Sequence, residues 1–316
     1  MNLYDLPQYL HIFNNCASSL AVFFNSVLIY LILTKSPKQL GVYKYLMVFI
    51  SVFEIFYSIL EVSLVPIHYS YRSSVAVLIS ISDKLFSRKF LLILNSFYWG
   101  FFGSSLAIFG VHFIYRYLVI SGNPLLRTFQ SWKFILWLLI PVVIGFIWAL
   151  TGIYLCGPTE EFTEFMKNTN ISEHSCMKDM VSFIVIIVSG IKCYLRIKRL
   201  MRNASTTSSR SQALQAQLFN ALVVQTMIPM LLLHTPVSLK FGFAIFDAGL
   251  GSYCFIMSMT IALYPAIDPF PNFFIISPYR KAAYGCFKKR LLKTILVGKR
   301  KANEMDQIES TPATVA

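Results

Sequence analysis

Residues 134–156 read FILWLLIPVVIGFIWALTGIYLC, twenty-three positions without one charged side chain. Coiled as an α-helix, this stretch rises about 34 Å, enough to cross the hydrocarbon core of a bilayer. Nothing but a membrane span or a deeply buried helix reads this way. Six more apolar runs lie at 12–34, 45–67, 90–113, 180–195, 218–239 and 250–270. The run at 180–195 is the short one. Its uninterrupted part, 180–191, rises only about 18 Å. It either spans by snorkelling Lys192 and Arg196 with local thinning of the bilayer, or lies as an interfacial or re-entrant segment.

Composition points the same way. Of 316 residues, 56% are hydrophobic and 13% charged, and the net charge is +14. One soluble core cannot hide so much apolar surface, and bulk disorder is excluded. The charge alone fits a nucleic-acid binder, but the hydrophobicity does not, so no nucleic-acid partner is expected. The predicted fold class is an all-α membrane protein, a seven-transmembrane helix bundle. Residues 1–291 form the membrane domain and 292–316 a basic, disordered tail on the cytosolic side. The amino-terminal segment before the first run carries no Lys or Arg. That run is too long for a signal-peptide core and is expected to serve as its own insertion signal.

Charge gives the orientation. The connections 1–2, 3–4 and 5–6 and the carboxyl end together carry 21 of the 28 Lys and Arg. The positive-inside rule then puts the N-terminus outside. Asn170-Ile171-Ser172 is a glycosylation sequon in the acidic 4–5 loop, on the predicted outer side. Cys156 and Cys176 bracket that loop, as a disulfide or as two ordinary thiols. Cys286, in a basic amphipathic segment after the last span, is a candidate for palmitoylation. No cysteine spacing suggests a metal site and no cofactor is expected.

Ionisable groups inside spans are costly and mark function by default. Glu54 and Glu61 share one face of the second span. Arg116 closes the third span in His112-Phe113-Ile114-Tyr115-Arg116-Tyr117. Asp268 lies in Tyr264-Pro265-Ala266-Ile267-Asp268-Pro269-Phe270-Pro271, where two prolines free backbone carbonyls and bend the helix. The sixth span carries Gln225, Thr226, Pro229 and Pro236 and is expected to bend too. Arg116 also reads as an interface anchor and Asp268 as a helix-end carboxylate. Two bent helices beside a third ending in Arg could adopt two packings, as a transmembrane switch requires.

These segments resemble the nematode serpentine chemoreceptors of the Str class, a branch of the seven-transmembrane G-protein-coupled receptors. The resemblance rests on Phe53-Glu54-Ile55-Phe56-Tyr57-Ser58, the segment 112–117, Gly190-Ile191-Lys192-Cys193-Tyr194, the run from Leu214 to Pro229, the segment 264–271 and Ile276-Ser277-Pro278-Tyr279-Arg280. It implies a plasma-membrane receptor of sensory neurons, expected in the cilium. It implies a small volatile or water-soluble ligand, a heterotrimeric G protein as partner, and membrane lipid around the bundle. Arg116 and Tyr117 match the inner end of the third helix that meets the G protein. Gln225 and Pro229 belong to the bending sixth helix. Asp268 and Pro269 match the proline-bearing motif of the seventh, and the segment after Ser277 matches a short cytosolic amphipathic eighth helix. Three features depart from the wider pattern. The fifth span is short, the third span has no Cys at its outer end, and Tyr115 stands where an acidic residue would precede Arg116.

Ligand-contact candidates in the outer half are Asn95, Tyr98 and Trp99 on the third span and Tyr253 on the seventh, each with packing as its other reading. Glu54 and Glu61 read as a polar floor, an ion site or packing. A ligand-gated channel or a small-solute transporter is the alternative function. The charge asymmetry disfavours the first, and the missing repeat of halves disfavours the second. The last span has no Lys to hold retinal. No nucleophile–base or metal motif suggests an enzyme.

Overall fold

The computed structural model describes residues 6–71, 74–79, 87–155, 209–251 and 253–285. The expected fifth span, the Cys156–Cys176 pairing, the sequon at Asn170 and Cys286 lie outside the described residues. Among the described residues, six helices are long and apolar enough to cross a membrane.

Helix α1 spans Leu6–Lys35 and α2 Tyr43–Leu64. Helix α3 runs from Arg88 to Ser121, well past the apolar run that announces it. Ser87 caps its start by accepting from the Phe90 N–H, and Gly122 ends it in a left-handed turn with φ 62°. After the single turn α4, Leu126–Phe129, comes α5, Phe134–Leu155. The sixth span has three parts: α6 (Ser209–Pro229), a π-helical turn (Met230–His234) and α7 (Thr235–Ile245). The seventh is α8 (Tyr253–Ile267) followed by α9 (Phe270–Ile275), and residues 277–285 are again helical.

One expectation needs correcting. The chain is mostly but not wholly helical, because the connection after α2 is a β-hairpin. Strand β1, Ile67–Tyr71, pairs antiparallel with β2, Ser74–Leu78, in the register Ile67↔Leu78 to Tyr71↔Ser74. Local chemistry forces the exit from α2. Val65 sits in the left-handed region at φ 45° with its N–H still bonded to the Glu61 carbonyl, and Pro66 has no N–H to continue the helix. The chain turns back over the bundle, and the His68 N–H donates to the Ser258 hydroxyl of α8 at 3.0 Å.

Two ends can be told apart. We call base the end where the start of α2, the end of α3, the start of α6 and the segment after α9 meet, and mouth the end that the hairpin covers. Buried apolar side chains fill the bundle between them. Leu28, Tyr115, Phe129 and Tyr279 pack at the base. Ile50, Phe109 and Phe219 fill the middle. Tyr57, Tyr98, Phe102 and Tyr264 lie toward the mouth. Helices α3 and α5 approach closely at Gly100 and Gly145. A Cβ on Gly100 would stand 2.8 Å from the Gly145 carbonyl oxygen, so no larger residue fits there without moving backbone. Helix α5 turns Val142, Val143, Phe146 and Ile147 outward, as its charge-free sequence allows in lipid.

Candidate functional site

Polar side chains gather in three layers between base and mouth. At the base, Arg116 is 1% exposed, a buried cation at the end of α3. It donates through Nη1 to the Gln215 side-chain oxygen of α6. Its guanidinium carbon sits 3.6 Å from the centre of the Tyr43 ring of α2. Such a contact, out of water, is worth about 2 kcal/mol. Tyr43 stacks on Tyr115 and its hydroxyl meets His112 Nδ1 at 3.3 Å. Arg116 therefore ties α2, α3 and α6 together without a carboxylate, and its Nε and Nη2 find no hydrogen-bond partner among the described residues. Beside it, the Ser277 N–H donates to the Gln217 side-chain oxygen at 3.0 Å, holding the segment after α9 to α6. The Tyr279 hydroxyl meets Ser36 at 2.7 Å, and burial pushes that phenol up to about 12.

The middle layer joins α1, α2, α6 and the seventh span. Pro269 has no N–H, so the Pro265 carbonyl loses its helical partner. The Asn25 side chain takes it, donating through Nδ2 at 3.0 Å. Gln225 donates to one Asp268 oxygen and accepts from Asn272 Nδ2 at 3.2 Å. Glu54 lies within interaction range of Asp268 and Asn25 without a hydrogen bond of good geometry. Pro229 ends α6 one turn beyond Gln225. There the backbone widens into the π-turn, and the Thr235 hydroxyl reaches the Met230 carbonyl at 2.6 Å. Such π-turns bend a helix and are frequent at functional sites.

Toward the mouth, Glu61 lies beside Tyr57 and Tyr98, whose rings are 5.5 Å apart. His234, in the π-turn, meets the Ser105 hydroxyl of α3 at 2.9 Å. Above them Lys240 of α7 is 1% exposed, and its ammonium donates to His68 Nδ1 at 3.0 Å. Burial, and then the Lys240 charge, hold the His68 imidazole well below the ordinary histidine range. His68 is thus neutral, with Nδ1 accepting and the proton on Nε2.

The sequence candidates distribute unevenly. Arg116 and Tyr117 lie at the base, with Tyr117 partly buried against the core. Gln225, Pro229, Asp268, Pro269 and Glu54 come together in the middle layer. Glu61 and Tyr98 meet near the mouth. Asn95 is half-buried on α3, its Oδ1 without a partner among the described residues. Trp99 is turned toward α5, where a Cβ on Gly152 would stand 3.2 Å from its ring. Tyr253 is 70% exposed and does not join the cluster. Sequence reading missed Tyr43, Gln215, His68, Lys240 and Ser258 as site residues. Only Lys240 carried a visible signal, a lone cation just past an apolar run.

This is a multi-pass helical bundle of membrane-spanning length with polar layers at its base, middle and mouth. The family model described as serpentine type 7TM GPCR chemoreceptor Str matches residues 10–180 and 171–284. The chain is 31% identical over 303 residues to G-protein coupled receptor str-217 of Caenorhabditis elegans, covering 85% of this chain and 87% of the relative. It is 32% identical over 324 residues to serpentine receptor class r-10 of Caenorhabditis briggsae, with 91% and 90% covered. With G-protein coupled receptor str-33 of Caenorhabditis elegans the identity is 25% over 321 residues, covering 89% and 91%. The chain belongs to the Str family of serpentine seven-transmembrane chemoreceptors, a receptor family and not an enzyme family.

Proposed function

We propose that the protein is a chemosensory G-protein-coupled receptor of the plasma membrane, at work in the cilium of a sensory neuron. Its N-terminus and mouth face outside, and its base faces the cytosol. The helix at 277–285 lies along the inner leaflet as the amphipathic eighth helix, and the basic tail 292–316 follows it. A small chemical enters at the mouth. A heterotrimeric G protein engages the base.

The observation that carries this reading is the buried Arg116 latch. A hydrogen bond to a charged group contributes about 1.5–3 kcal/mol, and the Tyr43 contact adds to it. The latch therefore favours the packing in which α6 lies against α3. A ligand that binds the other packing better shifts the balance by its differential affinity and by nothing more. The π-turn and Pro229 give α6 a place to pivot. Moving its base end away from α3 releases Arg116 and opens a cleft for a G-protein segment. Gln225 and Asp268 carry the change between the sixth and seventh spans.

Two measurements test it. Glycan mapping at Asn170 reads the orientation: modification in microsomes is expected, and a glycan gained only at sites engineered into the 5–6 loop would reverse the topology. Cells expressing the full chain should give ligand-evoked cyclic-nucleotide or calcium signals that need a G protein. Conductance without one would support a channel instead.

A further inference from the structure

The mouth holds a charge that the latch mechanism does not use. Lys240 is buried in α7, and among the described residues no carboxylate acts on it. Its charge neighbours there are neutral: His68 Nδ1 at 3.0 Å and the Cys254 thiol. The ammonium has three donors and spends one on His68. His68, 5% exposed, keeps a second buried donor, Nε2, with no partner among the described residues. Ser258 is already engaged, accepting from the His68 N–H and donating to the Cys254 carbonyl. A buried cation beside a neutral imidazole, with N–H groups in excess of acceptors, is unfavourable until an anion joins it. The centre of the Phe241 ring stands 5.9 Å from Lys240 Nζ, and Val237, one turn earlier on α7, belongs to the apolar mouth cluster with Leu64, Leu233 and Ile261. A single charge placed among apolar side chains is the chemistry that recognises a small organic molecule of the opposite charge.

We propose that Lys240 is the anion-recognition point of the ligand pocket, and that the receptor's ligands are small organic carboxylates. The carboxylate takes the free ammonium donors, and the short apolar remainder lies against the mouth cluster of α2, α3 and the sixth and seventh spans. This rests on the receptor reading above for its signalling consequence but not for binding.

The test uses the full chain purified into nanodiscs. Its thermal midpoint is followed against straight-chain alkanoates from acetate to octanoate, the alcohols and primary amides of equal length, and sodium chloride at matched ionic strength. At least one alkanoate should raise the midpoint saturably while its alcohol and amide do not. Lys240→Met should weaken that alkanoate tenfold or more, and Lys240→Arg, which keeps the charge, should retain most of the effect. Equal stabilisation by the neutral analogues, the same shift from chloride, or no shift from any alkanoate overturns the proposal. So does an unliganded Lys240 already paired within the chain, seen as loss of stability when Asp83, Glu160, Glu161, Glu164, Glu173, Asp179 or Asp247 is neutralised singly. Alkanoate binding without G-protein signalling leaves the anion site standing and removes the receptor reading. Signalling by neutral chemicals that survives Lys240→Met does the reverse.

Discussion

At the scale of single residues, the base turns on what holds Arg116. Removing the Gln215 acceptor leaves the guanidinium without its one hydrogen-bond partner among the described residues. Gln215→Ala should therefore raise ligand-independent signalling about tenfold or more, read as basal second messenger at equal surface level. Tyr43→Phe keeps the ring under Arg116 and should change basal signalling less than Tyr43→Ala. His68 makes a pH prediction. Its imidazole is held neutral when folded but takes a proton near the ordinary histidine value when unfolded. Stability is full above about pH 6.5 and falls as the pH drops below it, by about 1.4 kcal/mol per pH unit for this group. His68→Gln should flatten that acid limb, measured as thermal midpoint against pH.

Arg116, Glu54 and Asp268 were legible as singular because ionisable groups are rare in spans. Their partners were not, since Gln215, Tyr43 and Asn25 are ordinary residues until the fold apposes them. Lys240 directly follows the apolar run ending at Leu239, and by sequence alone such a position reads as a loop cation. The structure instead carries the helix on to Ile245 and buries it.

At the scale of elements, proline chemistry explains the bends. Asn25 replaces the helical donor that Pro269 cannot supply to the Pro265 carbonyl. Asn25→Leu leaves that carbonyl buried and unpaired, which should cost about 1–3 kcal/mol and lower the thermal midpoint accordingly. Gly145→Val should be at least as harmful, because its Cβ meets the Gly100 carbonyl oxygen at 2.9 Å across the α3–α5 contact. The helices themselves were readable from apolar runs of bilayer length. Their ends were less so, since α3 continues past the run ending at 113 through Arg116 and Tyr117 to Ser121. The hairpin was missed for a different reason. The polar stretch His68-Tyr69-Ser70-Tyr71-Arg72-Ser73-Ser74 ends the apolar run and reads as an irregular connection, and the pairing of 67–71 with 74–78 shows only in the fold.

At the scale of the whole molecule, the charge asymmetry and the latch point to the same face. The proposed seven-span orientation assigns 21 of the 28 basic residues to the side of the base, which suits anionic inner-leaflet lipid and a G protein. The two stretches that match the family overlap at 171–180, just before the short fifth run at 180–195. The covered mouth and the latched base are joined by the sixth span, whose π-turn divides it into two helices. The central claim is that the Arg116 contact with α6 holds this receptor off and that Arg116 then serves coupling. The most direct test is G-protein activation by the full chain, the Gln215→Ala and Arg116→Ala variants and the double variant, at matched surface expression. The account predicts raised basal activity for Gln215→Ala, and none above background for Arg116→Ala or the double variant. Unchanged coupling in Arg116→Ala would contradict it.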